Sequence, residues 1–155
     1  MTKVISTFSG CGGSSLGYKL AGCKILLANE FVPAARETYS ANFPDTIVLD
    51  DDIRKITGQA ILERVKLKKG ELDILDGSPP CSAFSMAGSR EKGWNKEKPY
   101  SDGIVQRVDD LYFEYIRLIR EIQPRAFLSE NVPALMSGAA KGYFNQIFRE
   151  MQACG

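Results

Sequence analysis

The sequence predicts an α/β domain: an open, mostly parallel sheet with helices on both faces. Three observations carry that reading. Strand-like and helix-like segments alternate along the chain. The strand segments are near-continuous apolar runs, as expected of strands covered on both sides. The first of them also runs directly into a glycine cluster that opens a helix, the turn by which α/β domains bring backbone close to a nucleotide.

Val4 to Phe8 is the first strand, short and β-branched. Gly10, Gly12 and Gly13 follow, then a helix over Ser14 to Ala21 with Leu16 and Leu20 at helical spacing, closed by Gly22. Lys24 to Asn29 is the second strand. Pro33 to Asn42 is a helix whose proline falls in the first turn, where a missing N–H does no harm. Thr46 to Leu49 and Leu72 to Leu75 are the third and fourth strands, with a helix over Thr57 to Val65 between them. Ser82 to Val108 has little periodicity, and so long an irregular stretch in a compact domain reads as a lid or as disorder. Asp110 to Ile122 is strongly amphipathic, with Leu111, Tyr115, Leu118, Ile119 and Ile122 on one face. Arg125 to Ser129 is the fifth strand. Ala140 to Cys154 is the last helix, its apolar face made by Phe144, Ile147, Phe148 and Met151.

Composition narrows the chemistry. The 155 residues are 44% hydrophobic and 25% charged, ordinary values for one globular domain. Twenty Lys and Arg against nineteen Asp and Glu give a net charge of +1, so no whole-surface polyanion field exists, although a local basic patch is allowed. With no histidine, any general acid is Asp, Glu, Lys, Tyr or Cys. The cysteines at 11, 23, 81 and 154 form no CxxC pair, so no metal site is expected. No signal peptide or membrane span is evident; the chain reads as cytosolic with reduced thiols.

Two clusters point to function. The first is Phe8-Ser9-Gly10-Cys11-Gly12-Gly13 between strand and helix. Ser15 stands where a strict GxGxxG would have its third glycine. Glu30, twenty residues after Gly10, ends the second strand, where a carboxylate can accept from both hydroxyls of a ribose. Asp52, just past the third strand, is placed to meet an adenine amino group. The competing account makes the glycines a tight turn and Glu30 an ordinary acid at a helix start. The second cluster is Asp76-Gly77-Ser78-Pro79-Pro80-Cys81 at the end of the fourth strand. Ligands of open parallel sheets bind beyond the strand carboxyl ends, where the strand order reverses. Two prolines hold the backbone before Cys81, and thiolate is a strong nucleophile. Glu130, at the end of the fifth strand, falls beside it. A cysteine and a carboxylic acid so placed suit covalent attack on a ring, assisted by protonation of that ring.

The glycine segment with Phe8, the Pro79-Pro80-Cys81 element and the Glu130-Asn131-Val132 triplet, in this order and spacing, resemble the N-terminal half of the cytosine-C5 DNA methyltransferases. The resemblance implies the Rossmann-like, S-adenosylmethionine-dependent methyltransferase fold, with strand order 3-2-1-4-5 and the family's later strands lacking. It implies a single catalytic domain over 1–155, without a target-recognition domain. S-adenosylmethionine would lie over Phe8 and the Gly10, Cys11, Gly12 and Gly13 turn, with Glu30 on the ribose, Asp52 and Ile53 flanking the adenine, and Leu111 bordering the cofactor. Cys81 would attack C6 of a cytosine flipped out of duplex DNA, and Glu130 would contact the amino edge and stabilise protonation at N3. Pro80, Ser85, Asn131 and Val132 would support the site. Phe84, Ser85 and the residues after them resemble the family's mobile catalytic loop, with a local charge of +2 from Arg90, Lys92, Lys96 and Lys98 against Glu91 and Glu97. Gly88 and Gly93 would be its hinges and Trp94 would press on sugar or base; a solvated charged loop is the plainer account.

The chain departs from the family pattern in places. Ser78 and Ser82 stand where the family commonly has Gly and Gln, and the Asp-x-Arg before Leu111 is not cleanly present. The family's later segments have no counterpart here. The expectation is therefore a part of a restriction-modification enzyme, bacterial or phage-encoded, completed by a second chain or by residues not in this sequence. A tRNA cytosine methyltransferase, an inactive cofactor-binding subunit and an NAD-binding dehydrogenase domain are the alternatives.

Overall fold

The computed structural model describes residues 1–80, 97–99, 105–107, 110–136 and 140–155. Five strands form one parallel sheet: β1 (Lys3–Thr7), β2 (Lys24–Asn29), β3 (Ile47–Leu49), β4 (Ile74–Gly77) and β7 (Ala126–Leu128), in the order β3-β2-β1-β4-β7. The order reverses between β1 and β4, as expected from the sequence. Between the strands run α1 (Gly13–Leu20), α2 (Pro33–Asn42), α3 (Gly58–Val65) and α4 (Leu111–Ile122), and α5 (Ala140–Gln152) follows β7. Short 3-10 turns occupy Ile53–Lys55 and Pro133–Met136.

Local signals explain most boundaries. Pro33 starts α2, and the Thr57 side chain accepts from the Ala60 N–H to cap α3. Lys66 and Gln123 end α3 and α4 in the left-handed region, at φ 56° and 53°. β4 begins two residues later than the apolar run suggests. Leu72 is buried all the same, but its carbonyl accepts from Arg125 N–H ahead of the strand ladder. The irregular stretch also contains paired backbone: β5 (Glu97–Pro99) and β6 (Val105–Arg107) form a separate antiparallel ribbon, which its charged sequence does not reveal.

Adjacent residues on a strand face opposite sides of a sheet, and the core divides accordingly. Ile5, Leu27, Leu49 and Leu75 meet α3, α4 and α5 on one face. The expected stripe on α4 is wholly buried there, as is Ile147 of α5, whereas Phe148 stands half exposed. Ala28 packs with Tyr39 of α2 and with Phe43, which caps that helix, on the other face.

Helix α1 corrects the expectation drawn from its leucines. Leu16 and Leu20 are exposed; the buried residue is Ser15, whose hydroxyl accepts from Tyr39 Oη at 2.9 Å. The helix docks through polar groups instead. Asp76, on β4, is buried and accepts from Ser6 Oγ (2.9 Å), Ser14 Oγ (2.7 Å) and Tyr18 Oη (3.3 Å). A buried carboxylate tolerates such a site when hydroxyl donors replace its water.

These buried phenols make stability sensitive to alkali. Burial, helped by the Asp76 charge, pushes the Tyr18 hydroxyl up to about 12. Burial also raises Tyr39 and Tyr115 above the usual tyrosine range. The folded chain thus keeps protons that the unfolded chain releases near pH ~10. Stability should be full below pH ~10 and fall as pH rises through about 12, together with the growth of tyrosinate absorbance. Titration of all six tyrosines near pH 10 without unfolding would refute this.

Among the described residues, no helix is long and apolar enough to cross a membrane.

Candidate active site

The carboxyl ends of β1, β2 and β3 are stitched together by short polar contacts. Glu30 N–H donates to the Leu49 carbonyl, and Ser9 N–H to the Asn29 carbonyl at 3.1 Å. Asn29 Nδ2 donates to the carbonyls of Leu49 and Asp51. Glu30, nearly buried, places one carboxylate oxygen 2.7 Å from Gly10 N and the other 2.7 Å from Val32 N. Gly10 meets it because the chain turns through the left-handed region at Phe8 (φ 52°) and Gly10 (φ 55°). A phenylalanine in that region is strained, and such strain is found where a turn must present a side chain.

Beyond these strand ends lies a cavity of about 270 Å³. Phe8, Phe31, Val32, Ala35, Ile53 and Pro80 give it apolar walls; Gly10, Asn29, Glu30 and Ser78 add polar groups. Of the residues expected to hold a cofactor, Phe8, Gly10, Glu30 and Ile53 are therefore brought together. Asp52 stands beside Ile53, but its carboxylate faces the Arg54 guanidinium at 3.1 Å, and Arg54 reaches Asp110 at 2.6 Å on the other side. Cys11, Gly12 and Gly13 border a separate depression with Leu16, Lys19 and Phe43. Gly12 is there for close packing: a Cβ on it would lie 2.4 Å from the Phe43 ring. Leu111 is in the main core, against neither depression.

The second cluster lies at the ends of β4 and β7. Tyr115 of α4 sets their spacing, because its hydroxyl sits 2.8 Å from the Leu75 carbonyl and 2.9 Å from the Leu128 carbonyl. Ser78 Oγ accepts from Glu130 N–H at 3.0 Å, which joins the cavity wall to the Glu130 turn. Asn131 donates from Nδ2 to Tyr112 Oη at 2.7 Å and accepts from Val132 N–H at 2.8 Å. Glu130 is exposed. Cys81, Ser85 and the expected catalytic loop, from Phe84 through Trp94, lie outside the described residues; Pro80, described and at the cavity, immediately precedes the cysteine.

Sequence reasoning named Asp76 without its role and missed Tyr112 and the second apolar wall from Phe31, Val32 and Ala35. The wall was findable, since Phe31-Val32 follows Glu30 directly. Asp76 and Tyr112 act through contacts tens of residues away and left no local signal. Among the described residues no cluster suits a metal ion.

The sequence matches the family of C-5 cytosine-specific DNA methylases over residues 2–155. The chain belongs to that family. It is 35% identical over 153 residues to the type II methyltransferase M.NgoPII of Neisseria gonorrhoeae, covering 99% of this chain and 40% of that protein. It is 38% identical over 135 residues to M.AquIA of a Picosynechococcus strain, covering 87% of this chain and 50% of that protein. A solved structure described as a DNA modification methyltransferase encoded within an E. coli prophage superposes with a TM-score of 0.76 at 30% identity, over 99% of this chain and 38% of that one. Spodoptera frugiperda DNMT2 shares the fold, with a TM-score of 0.63 at 22% identity, over 97% of this chain and 41% of that one. This C-5 methylase chain therefore spans two fifths to one half of the length of these relatives.

Proposed function

We propose that this chain carries the cofactor pocket and the cysteine of an enzyme that transfers a methyl group from S-adenosylmethionine to C5 of cytosine in DNA, as part of restriction-modification in a bacterial or phage-infected cytoplasm. The observation that carries the reading is the junction at Ser78: one short segment lines the cavity under Glu30, bonds the Glu130 turn and leads through Pro79-Pro80 into Cys81.

The cavity fits the cofactor. Each Glu30 oxygen accepts one backbone N–H, and the remaining lone pairs suit the two hydroxyls of a ribose. Phe8 and Ile53 offer flat apolar surface to a base. When bound, S-adenosylmethionine supplies an electrophilic methyl group on sulfur.

The chain's own residues would do the rest. The Cys81 thiolate forms a bond to C6 of the extruded cytosine, while Glu130, at the amino edge, supports protonation of N3 and so takes up the charge that the attack creates. C5 would thereby become nucleophilic and take the methyl group as its bond to sulfur breaks, leaving S-adenosylhomocysteine. Loss of the C5 proton to a base would then break the Cys81–C6 bond and expel the Cys81 thiolate, and return of the N3 proton to Glu130 would leave neutral 5-methylcytosine. Glu30 and Phe8 would hold the methyl donor in the cavity that Pro80, the residue before the cysteine in sequence, also lines.

The test uses duplex DNA of mixed sequence containing 5-fluorocytosine, which blocks the final elimination, together with S-adenosylmethionine. The protein should gain the mass of the methylated strand, and Cys81→Ser should gain none. tRNA carrying the same base should form no adduct. A folded, cofactor-bound protein that forms no adduct with DNA would overturn the reading that this chain carries the chemistry on its own.

A further inference from the structure

Glu130 stands at the end of an edge strand only three residues long, and among the described residues no side chain pairs with its carboxylate. Ends of such strands fray. Here, however, the backbone on both sides of Glu130 is held. The Ser78 hydroxyl accepts from the Glu130 N–H at 3.0 Å. The Tyr112 hydroxyl bridges the neighbouring residues, 2.9 Å from Ser129 Oγ and 2.7 Å from Asn131 Nδ2. Tyr112 is itself a firm post, buried in the first turn of α4. One turn on, Tyr115 ties down the Leu128 carbonyl. The main chain from 128 to 132 is thus fixed, and the Glu130 carboxylate is the group left free to reach outward.

We propose that Ser78 and Tyr112 are positioning residues: their hydroxyls clamp the 129–131 segment from two sides and so aim the Glu130 carboxylate. The inference rests on the reading above, in which Glu130 meets the amino edge of cytosine. The clamp's chemistry depends on two hydroxyl groups. A glycine at 78 has no hydroxyl to offer the Glu130 amide, and a phenylalanine at 112 has none for Asn131.

The test applies Ser78→Ala and Tyr112→Phe to the full chain, on the wild-type and on the Glu130→Gln background, with folding checked by circular dichroism. On the wild-type background each should slow adduct formation with 5-fluorocytosine DNA about tenfold, since a small misplacement of an acting group is costly. On the Glu130→Gln background neither should slow it further by more than about twofold, because residues acting through one carboxylate are not additive. Equal slowing on both backgrounds would overturn the proposal, since a merely structural role does not depend on the carboxylate. Amide exchange in the ligand-free protein gives a second readout. Exchange at Glu130 and Asn131 should speed at least about tenfold in either variant. If the wild type forms no adduct, the reading that this chain carries the chemistry on its own fails, and the exchange arm decides the clamp by itself: unchanged exchange overturns it. Tyr112→Phe removes one oxygen and leaves the packing ring, so it carries the test if Ser78→Ala does not fold.

Discussion

Gly77→Ala should lower the melting temperature by ~10 °C. Gly77 closes β4 opposite Thr7 of β1. A Cβ there would lie 2.3 Å from Cε2 of Tyr115 and 2.5 Å from Oγ1 of Thr7. Neither neighbour can withdraw. Thr7 donates to the Asp76 carbonyl at 3.1 Å, and the Tyr115 hydroxyl is lodged between two carbonyls of adjacent strands. Both side chains are buried. Overpacking of this kind costs about 1–3 kcal/mol where neighbours can shift, and the upper end applies where they are pinned. At roughly 3 kcal/mol, a domain of this size loses about 10 °C. Gly17→Ala provides the contrast. That glycine lies in exposed α1 with nothing within 4 Å of a Cβ, and alanine there should stabilise by up to ~1 kcal/mol. Equal melting temperatures for Gly77→Ala and the wild type, measured by calorimetry, would mean that Tyr115 is not pinned as described.

The same residue shows where sequence reasoning stops. The apolar runs and the glycine turn are local signals, and they were enough for the parallel sheet and for the helices with Pro33 and Thr57 at their starts, while the strand order came with the family resemblance. The crevice at the strand ends follows from that order, so Phe8, Glu30 and Pro80 could be gathered before any coordinates. What the sequence conceals is pairing over distance. Gly77 reads only as part of the cluster that ends the fourth strand, yet its constraint comes from Tyr115, thirty-eight residues on. Leu16 and Leu20 follow helical spacing and promise an apolar face. The face that docks is Ser14, Ser15 and Tyr18, because the partners that make polar docking favourable, Asp76 and Tyr39, lie on other elements. Asp52 reads as a free acid beside the base site, and only the fold shows Arg54 curling back on it and reaching Asp110.

Glu30→Gln should weaken S-adenosylmethionine binding by about thirtyfold, although the change is nearly isosteric. The reason lies in what each oxygen does. Both accept backbone N–H groups at 2.7 Å, one from Gly10 and one from Val32. A glutamine side chain has one acceptor and one NH₂ group. Whichever way the amide turns, its NH₂ opposes a backbone N–H, at Gly10 or at Val32. The site is nearly buried, so water is a poor substitute, and a buried donor left unpaired costs about 1–3 kcal/mol. With the cofactor seated as proposed, the charged acceptor for one ribose hydroxyl is lost as well, and hydrogen bonds to charged groups contribute about 1.5–3 kcal/mol. Part of this appears as a loosened turn at Phe8 and Gly10, the rest as affinity. Two kcal/mol in affinity is about thirtyfold. Asp52→Asn should weaken binding less than about fivefold, because the Asp52 carboxylate is already engaged by Arg54 and is not part of the cavity wall. Titration calorimetry with S-adenosylhomocysteine measures both. If Asp52→Asn cost more than Glu30→Gln, the ribose would not lie at Glu30, and the cofactor would have to be seated toward the 3-10 turn at Ile53.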